Sequence, residues 1–163
     1  MKCYPHWGSH LPTLIKVVQM TTGPILELGI GMFSTPVLHW LCYENKRELV
    51  SYEQEDWYLK LFRYFNNDYH KIIEVKDWDK IEIERPWDVV LVDHNDDRRV
   101  DEIKRLVNHV NYIIVHDTGP GPITEAHYHY SKIFPLFKYR YDTEGTRNRT
   151  TVLSNFVDLN NLR

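Results

Sequence analysis

Short apolar runs alternate with stretches of helical length along most of this chain, and that alternation constrains its fold more than any other feature. Pro24–Gly29 (PILELG), Glu48–Glu53 (ELVSYE), Lys71–Val75 (KIIEV), Asp88–Asp93 (DVVLVD) and Asn111–His116 (NYIIVH) have strand length. Runs such as VVLV and YIIV put apolar side chains on both faces of a strand, as in a parallel sheet covered on both sides. The segments between them fit crossover helices. Leu11 to Met20 makes a covering helix before the first strand. Thr35-Pro36 offers a capping hydroxyl before a proline at the first helical position, with Val37, Leu38, Leu41 and Cys42 on one face. Val100, Ile103, Leu106 or Val107, and Val110 recur at three to four residues. After the fifth strand, Thr118 to Pro122 reads as a loop and Ile123 to Phe134 as a helix ended by Pro135. Leu136–Asp142 and Arg149–Phe156 read as two strands around a turn at Glu144-Gly145. The expectation is an α/β, doubly wound fold. It has a mostly parallel seven-stranded sheet with a C-terminal antiparallel hairpin and helices on both faces. One domain spans residues 1–163, and the ligand crevice lies beyond the carboxyl ends of the strands.

Composition narrows the function. The 163 residues carry a formal charge of −3, which argues against nucleic acid or an anionic membrane as partner. No stretch approaches the ~20 apolar residues of a membrane span, and Met1 to Thr13 lacks the apolar core of a signal peptide. Cys3 and Cys42 are too few for a disulfide framework. A soluble, cytoplasmic protein is expected; its oligomeric state is left open.

Glu27-Leu28-Gly29-Ile30-Gly31 lies where the first strand turns into the next helix. Glycines at such a turn admit close backbone approach and backbone angles that a side chain forbids. The dinucleotide fingerprint asks for Gly or Ala at the position held by Ser34. No Lys or Arg stands between Lys16 and Lys46 to meet a pyrophosphate. Glu27 instead suits a cationic or amine-bearing ligand. Glu53, ending the second strand, can accept hydrogen bonds from both hydroxyls of a ribose. Asp77 and Trp78, after the third strand, offer an acceptor and an aromatic face to an adenine. The ordered set points to an adenosine-containing ligand without phosphates.

These motifs resemble the class I, Rossmann-like S-adenosylmethionine-dependent methyltransferases, over roughly Pro24 to Thr118. Within them the chain looks like short members with an ELGxGxxSTP loop (Glu27–Pro36) and a VHDT fifth strand (Val115–Thr118). The resemblance implies S-adenosylmethionine as cofactor. By it, Glu27, Gly29, Gly31, Ser34 and Thr35 belong to the methionine side, Glu53 holds the ribose, and Asp77 with Trp78 borders the adenine. Ser9-His10 closes over the cofactor, which Asp93 also reaches. One departure is that the usual third glycine of the loop is Phe33 or Ser34 here.

The acceptor side follows from the fourth and fifth strands. Asp93 ends one and Asp117 follows the other, with His94 and His116 flanking them, so all four open on the same crevice as catalytic candidates. Methyl transfer is a displacement at a carbon already activated by sulfonium, so alignment is the protein's main task. A hydroxyl acceptor also needs a base, either His116 or His94. Some related O-methyltransferases bind magnesium with acids at these strand ends. The usual acid-plus-amide pair is absent, Asp117 being followed by Thr118, and no metal is assigned. His127, Tyr128, His129 and Tyr130 cannot all face one way, and no cysteine or acid stands at zinc-site spacing beside them. Arg147 and Arg149 read as solvated turn charge rather than as an anion site.

The expected function is methyl transfer to a small-molecule acceptor at oxygen or nitrogen. The alternative is a non-catalytic S-adenosylmethionine-binding or degenerate methyltransferase-fold protein that works through protein partners. A nicotinamide oxidoreductase is disfavoured by the loop. Nucleic-acid methylation is disfavoured by the charge and by the lack of an Asn/Asp-Pro-Pro-aromatic or Pro-Cys motif.

Overall fold

Two strands carry the centre of the molecule: β4 (Trp87–Val92) and β5 (Val110–Val115), each buried over its last four residues. In the computed structural model, which describes residues 4–94, 97–144 and 148–162, they pair in parallel. Cys3, Gly145 and Arg147, singled out above, lie outside the described residues. On one side of β4 come β1 (Ile25–Leu28), β2 (Leu49–Glu53) and the edge strand β3 (His70–Glu74), all parallel. On the far side of β5 the chain returns antiparallel as β7 (Thr151–Ser154), with β6 (Tyr139–Asp142) at the edge. The seven-stranded order is β3-β2-β1-β4-β5-β7-β6. The expected sheet and hairpin are present.

The alternation of side chains along β4 explains why both faces are covered. Val90 and Val92 share a core with Ile103 and Leu106 of α4 (Arg99–Leu106). Val89 and Leu91 share the opposite core with Leu14 and Val17 of α1 (Leu11–Gln19) and Leu38 of α2 (Ser34–Glu44). Each fully buried aliphatic side chain contributes roughly 1.5–3 kcal/mol relative to leaving it in water. No helix among the described residues is long and apolar enough to cross a membrane.

Two local expectations are corrected. Thr35 is not a cap: α2 starts at Ser34, so Pro36 is its third residue, where its missing N–H is still one the helix leaves unpaired. The Thr35 hydroxyl instead accepts from the Gly31 N–H (2.9 Å) and donates to Glu27 (2.9 Å). The helix expected over 123–134 stops early, as α5 (Pro122–Tyr128). His129 turns left-handed (φ 57°), and short 3-10 turns follow at Tyr130–Lys132 and Phe134–Leu136. The break lets Tyr130 enter the core, where its hydroxyl donates to the His116 carbonyl (3.2 Å).

Sheet order reverses between β1 and β4, so the loops at their carboxyl ends diverge and open a crevice. The loop into α3 (Asp56–Phe62) and the N-terminal 3-10 turn (Pro5–Gly8) form its other walls.

Candidate functional site

The crevice is a cavity of about 360 Å³ lined by Ile30 and Gly31 after β1, Ser34 at the start of α2, Glu53 at the end of β2, and Asp93, His116 and Asp117 just beyond β4 and β5. Trp7 and His10 close it from the N-terminal side, and Arg99 lines it from α4.

Gly29 (φ +99°) is required by the protein's own backbone. A Cβ there would sit 2.4 Å from the His94 amide nitrogen and 2.5 Å from its Cα. The β1 and β4 loops therefore touch at this glycine, and its role is packing of loop on loop rather than approach to a ligand. Gly31 is different: an added Cβ would meet only the Ser34 hydroxyl, at 3.2 Å.

The two glutamates diverge. Glu27 is completely buried and does not line the cavity. It accepts from the Ser51 hydroxyl (2.6 Å) and the Thr35 hydroxyl (2.9 Å), and burial pushes its pKa up to about 7. Behind Ser51 the chain of hydrogen bonds continues to His70 Nε2 (2.9 Å) and from His70 Nδ1 to His39 Nδ1 (3.0 Å). Burial holds His70 down at about 3, so this imidazole is neutral. The expectation that Glu27 meets a ligand is thus corrected: it anchors the loop from beneath. Glu53 does face the cavity. Its Oε2 accepts from the Ile30 N–H and its Oε1 from the Gln54 and Glu55 N–H groups, all at 2.8 Å, so it ties the β1 and β2 loops together. Burial raises its pKa against the pull of those amides. A carboxylate has about four lone-pair positions, and three are in use.

Asp77 and Trp78 are not at the cavity. Asp77 is half-buried, pairs with Lys80 (2.8 Å) and caps the Asp79 amide. Trp78 is buried, stacks on His94 (4.4 Å between centroids) and donates to Gln54. His94 borders the cavity, but its ring is sandwiched away from it, with Nε2 3.5 Å from the Glu102 carboxylate. These three therefore depart from the expected adenine border and base: Asp77 is engaged by Lys80 and the Asp79 amide, and the Trp78 and His94 rings are buried against each other.

Asp93, His116 and Asp117 do converge. His116 Nδ1 lies 3.0 Å from Asp93 Oδ1 and 3.7 Å from Asp117 Oδ2. The other ring nitrogen, Nε2, meets the Ser9 hydroxyl at 2.9 Å. Ser9 gives its single proton to the Asn148 carbonyl (2.8 Å), so toward His116 it accepts, and Nε2 carries a hydrogen. Burial alone would lower the His116 pKa, but the hydrogen bond and charge of Asp93 outweigh it and lift it above the ordinary value. Burial would conversely raise Asp93, and His116 and Arg99 hold it below the usual carboxylate range. Asp93 thus favours the protonated form of the His116 ring, the form in which Nδ1–H donates to Oδ1. Ser9–His116–Asp93 has the order of a nucleophilic triad. Ser9 does not line the cavity, however, and orients the ring instead.

Two participants, Arg99 and Asn148, carry no site signal in the sequence, and His10, expected over the cofactor, sits deeper than expected. Arg99 looks like a solvated charge at a helix start, yet it is buried. It donates to the carbonyls of His94 (2.6 Å) and His116 (3.1 Å), lies 3.3 Å from Asp93 and 3.8 Å from Asp117, and covers the Tyr128 ring. Asn148 donates to Asp117 Oδ1 (2.7 Å), steadying a residue whose φ is +58°. His10 is 1% exposed, and neither of its ring nitrogens has a hydrogen-bond partner. It packs edge-on against His116 (4.6 Å), and burial lowers its pKa to about 4.

No protein-family model matches the chain, and no curated protein matches it. Solved structures do. A putative O-methyltransferase from Klebsiella pneumoniae superposes with a TM-score of 0.65 at 14% identity, over 94% of this chain and 82% of that one. Cofactor-bound Rv0187 from MTB gives 0.67 at 16%, over 96% and 83%. This chain has the class I, Rossmann-like methyltransferase fold. SAH-bound PaMTH1, a methyltransferase of Podospora anserina, gives 0.67 at 15%, over 94% and 80%. At such identities it is the fold alone that this chain shares with them.

Proposed function

We propose that this chain is an S-adenosylmethionine-dependent methyltransferase acting on a small-molecule acceptor, at oxygen or nitrogen. The observation that carries this reading is the charge of the crevice. Among the described residues, Glu53, Glu55, Asp93 and Asp117 line it against one guanidinium, Arg99, which is itself occupied by Asp93 and Asp117. Such a cavity favours a cationic ligand and disfavours a pyrophosphate. A volume of about 360 Å³ is suited to one small ligand. S-adenosylmethionine supplies a methyl group on a sulfonium centre. Glu53 and the Gly31–Ser34 turn hold the cofactor side, with one lone-pair position of Glu53 left for a ribose hydroxyl. Asp93, His116 and Asp117 form the acceptor side. Neutral His116 takes the acceptor's proton at Nδ1, and Asp93 stabilises the imidazolium that results. Neighbours of the same fold that hold SAH or a cofactor, and those named as O-methyltransferases, support the reading.

The test is calorimetric titration with S-adenosylmethionine, S-adenosylhomocysteine and NAD. Binding of the first two without NAD is expected. Glu53→Ala should weaken S-adenosylhomocysteine about tenfold or more, since a charge-assisted contact contributes roughly 1.5–3 kcal/mol. A folded parent protein that binds neither adenosyl ligand would overturn the proposal.

A further inference from the structure

We infer that His10, Asp93 and His116 form a binding site for one first-row divalent transition-metal ion, of the Zn²⁺ or Fe²⁺ kind. One ligand atom from each lies within 4.8 Å of the others. His116 Nδ1 and Asp93 Oδ1 are 3.0 Å apart, and His10 Nδ1 and Asp93 Oδ2 are 3.9 Å apart. An ion about 2.0–2.2 Å from each donor needs donors roughly 3–3.6 Å apart; His116 and Asp93 already meet that spacing, and rotation of the His10 side chain closes the set.

Two independent features separate this cluster from an ordinary buried polar group. The first is His10. A buried imidazole normally finds at least one hydrogen-bond partner, because leaving its nitrogens unpaired costs on the order of 1–3 kcal/mol. His10 has none on either nitrogen and points Nδ1 toward Asp93. The second is the support behind His116. A metal-bound histidine gives its other N–H to an outer acceptor that fixes the ring and its tautomer. That arrangement is already built: Nε2–H donates to Ser9, and Ser9 donates to the Asn148 carbonyl. The ion takes the place of the proton that Nδ1 shares with Asp93.

The donor chemistry selects the ion. Two imidazoles and one carboxylate suit zinc, iron, cobalt or nickel, whereas magnesium prefers oxygen ligands. Asp117 lies 3.7 Å from His116 Nδ1 and adds negative charge, and Arg99 offsets one of the two carboxylates. Three protein ligands leave a position open to the cavity, as in catalytic rather than structural sites. The ion's role rests on the methyl-transfer reading: with Nδ1 of His116 taken by the ion, it is the cation, in place of the imidazole, that makes a bound acceptor hydroxyl lose its proton more easily. Ion binding itself does not depend on that reading.

The experiment uses tag-free, chelator-treated full-length protein titrated with Zn²⁺, with Co²⁺ as a spectroscopic probe and Mg²⁺ as contrast. One Zn²⁺ per chain is expected, with Co²⁺ bands of imidazole–carboxylate coordination and far weaker Mg²⁺ binding. His10→Ala should weaken Zn²⁺ about 100-fold, and Asp93→Asn provides a second variant if the first does not fold. Removing the exposed histidines, His127→Ala with His129→Ala, should leave the tight site intact. No stoichiometric Zn²⁺ in the folded parent, or equal affinity in a folded His10→Ala or Asp93→Asn variant, would overturn the site. S-adenosylhomocysteine titration of the same samples separates the two readings: its binding without Zn²⁺ sinks only the metal site, and Zn²⁺ without it sinks only the transferase.

Discussion

Glu27 lies in β1 and Gly29 just beyond its end, and both are surrounded by the protein's own polar and backbone atoms. At Gly29 the positive φ and the 2.4 Å approach of a would-be Cβ to His94 act together. Gly29→Ala is therefore expected to destabilise the fold by about 1–3 kcal/mol or more, read as a lower urea midpoint. Weakened S-adenosylhomocysteine binding with unchanged stability would contradict that. Glu27 gives a pH signature. Its carboxyl is raised to about 7 in the folded chain from an ordinary 4.5, so the folded state holds its proton more tightly. Stability from this group is full below about 4.5 and is lost as pH rises toward 7. His10 and His70, lowered to about 4 and 3, act in the opposite sense, adding stability as pH rises toward 6.5. Subtracting the parent from Glu27→Gln isolates the glutamate. The melting-temperature difference should grow in the variant's favour between pH 5 and 8, and a flat difference would show an ordinary carboxyl.

Secondary elements differ in how legible they were. The strands could be read from sequence because burial on both faces leaves a continuous apolar run, and β4 and β5 begin and end within a residue of expectation. Their weight is testable: Leu91→Ala, fully buried against the α1 side, should cost about 2–5 kcal/mol in chemical denaturation. A loss below 1 kcal/mol would mean that the sheet repacks. Helix ends were less legible, because long-range partners override local preference. Thr35 has the composition of a cap, but a buried carboxylate eight residues earlier captures its hydroxyl. The break at His129 follows from burying Tyr130, a contact with β5 that no local pattern announces. The crevice shows the same division. Glu53, Gly31, Asp93, His116 and Asp117 were legible because strand ends in a doubly wound sheet share one edge. Arg99 was not, since only the tertiary fold buries it, and His10 could be placed beside the crevice but not beside Asp93.

At the scale of the whole molecule, the acid-rich crevice and the coupled pair Asp93–His116 set how the chain responds to protons. His116 is lifted above its ordinary 6.5 with Asp93 as its partner. Nuclear magnetic resonance titration of its ring should thus give a pKa above 6.5 that falls in Asp93→Asn, while His10 titrates near 4. An unchanged His116 midpoint in that variant would remove Asp93 as the cause. The tie from Ser9 to both His116 and the Asn148 carbonyl also bears on the order in which the chain folds. It joins positions 139 residues apart, with six of the seven strands between them in sequence. Contacts of such separation form late, because the intervening chain must be ordered before they repay the entropy of closing the loop. The orientation of the His116 ring is thus completed only when the first turn and the last hairpin have both docked. In refolding, S-adenosylhomocysteine binding should recover with the slowest phase, after β4 and β5 have regained their burial; recovery in the fastest phase would show that the crevice matures without its final stitch.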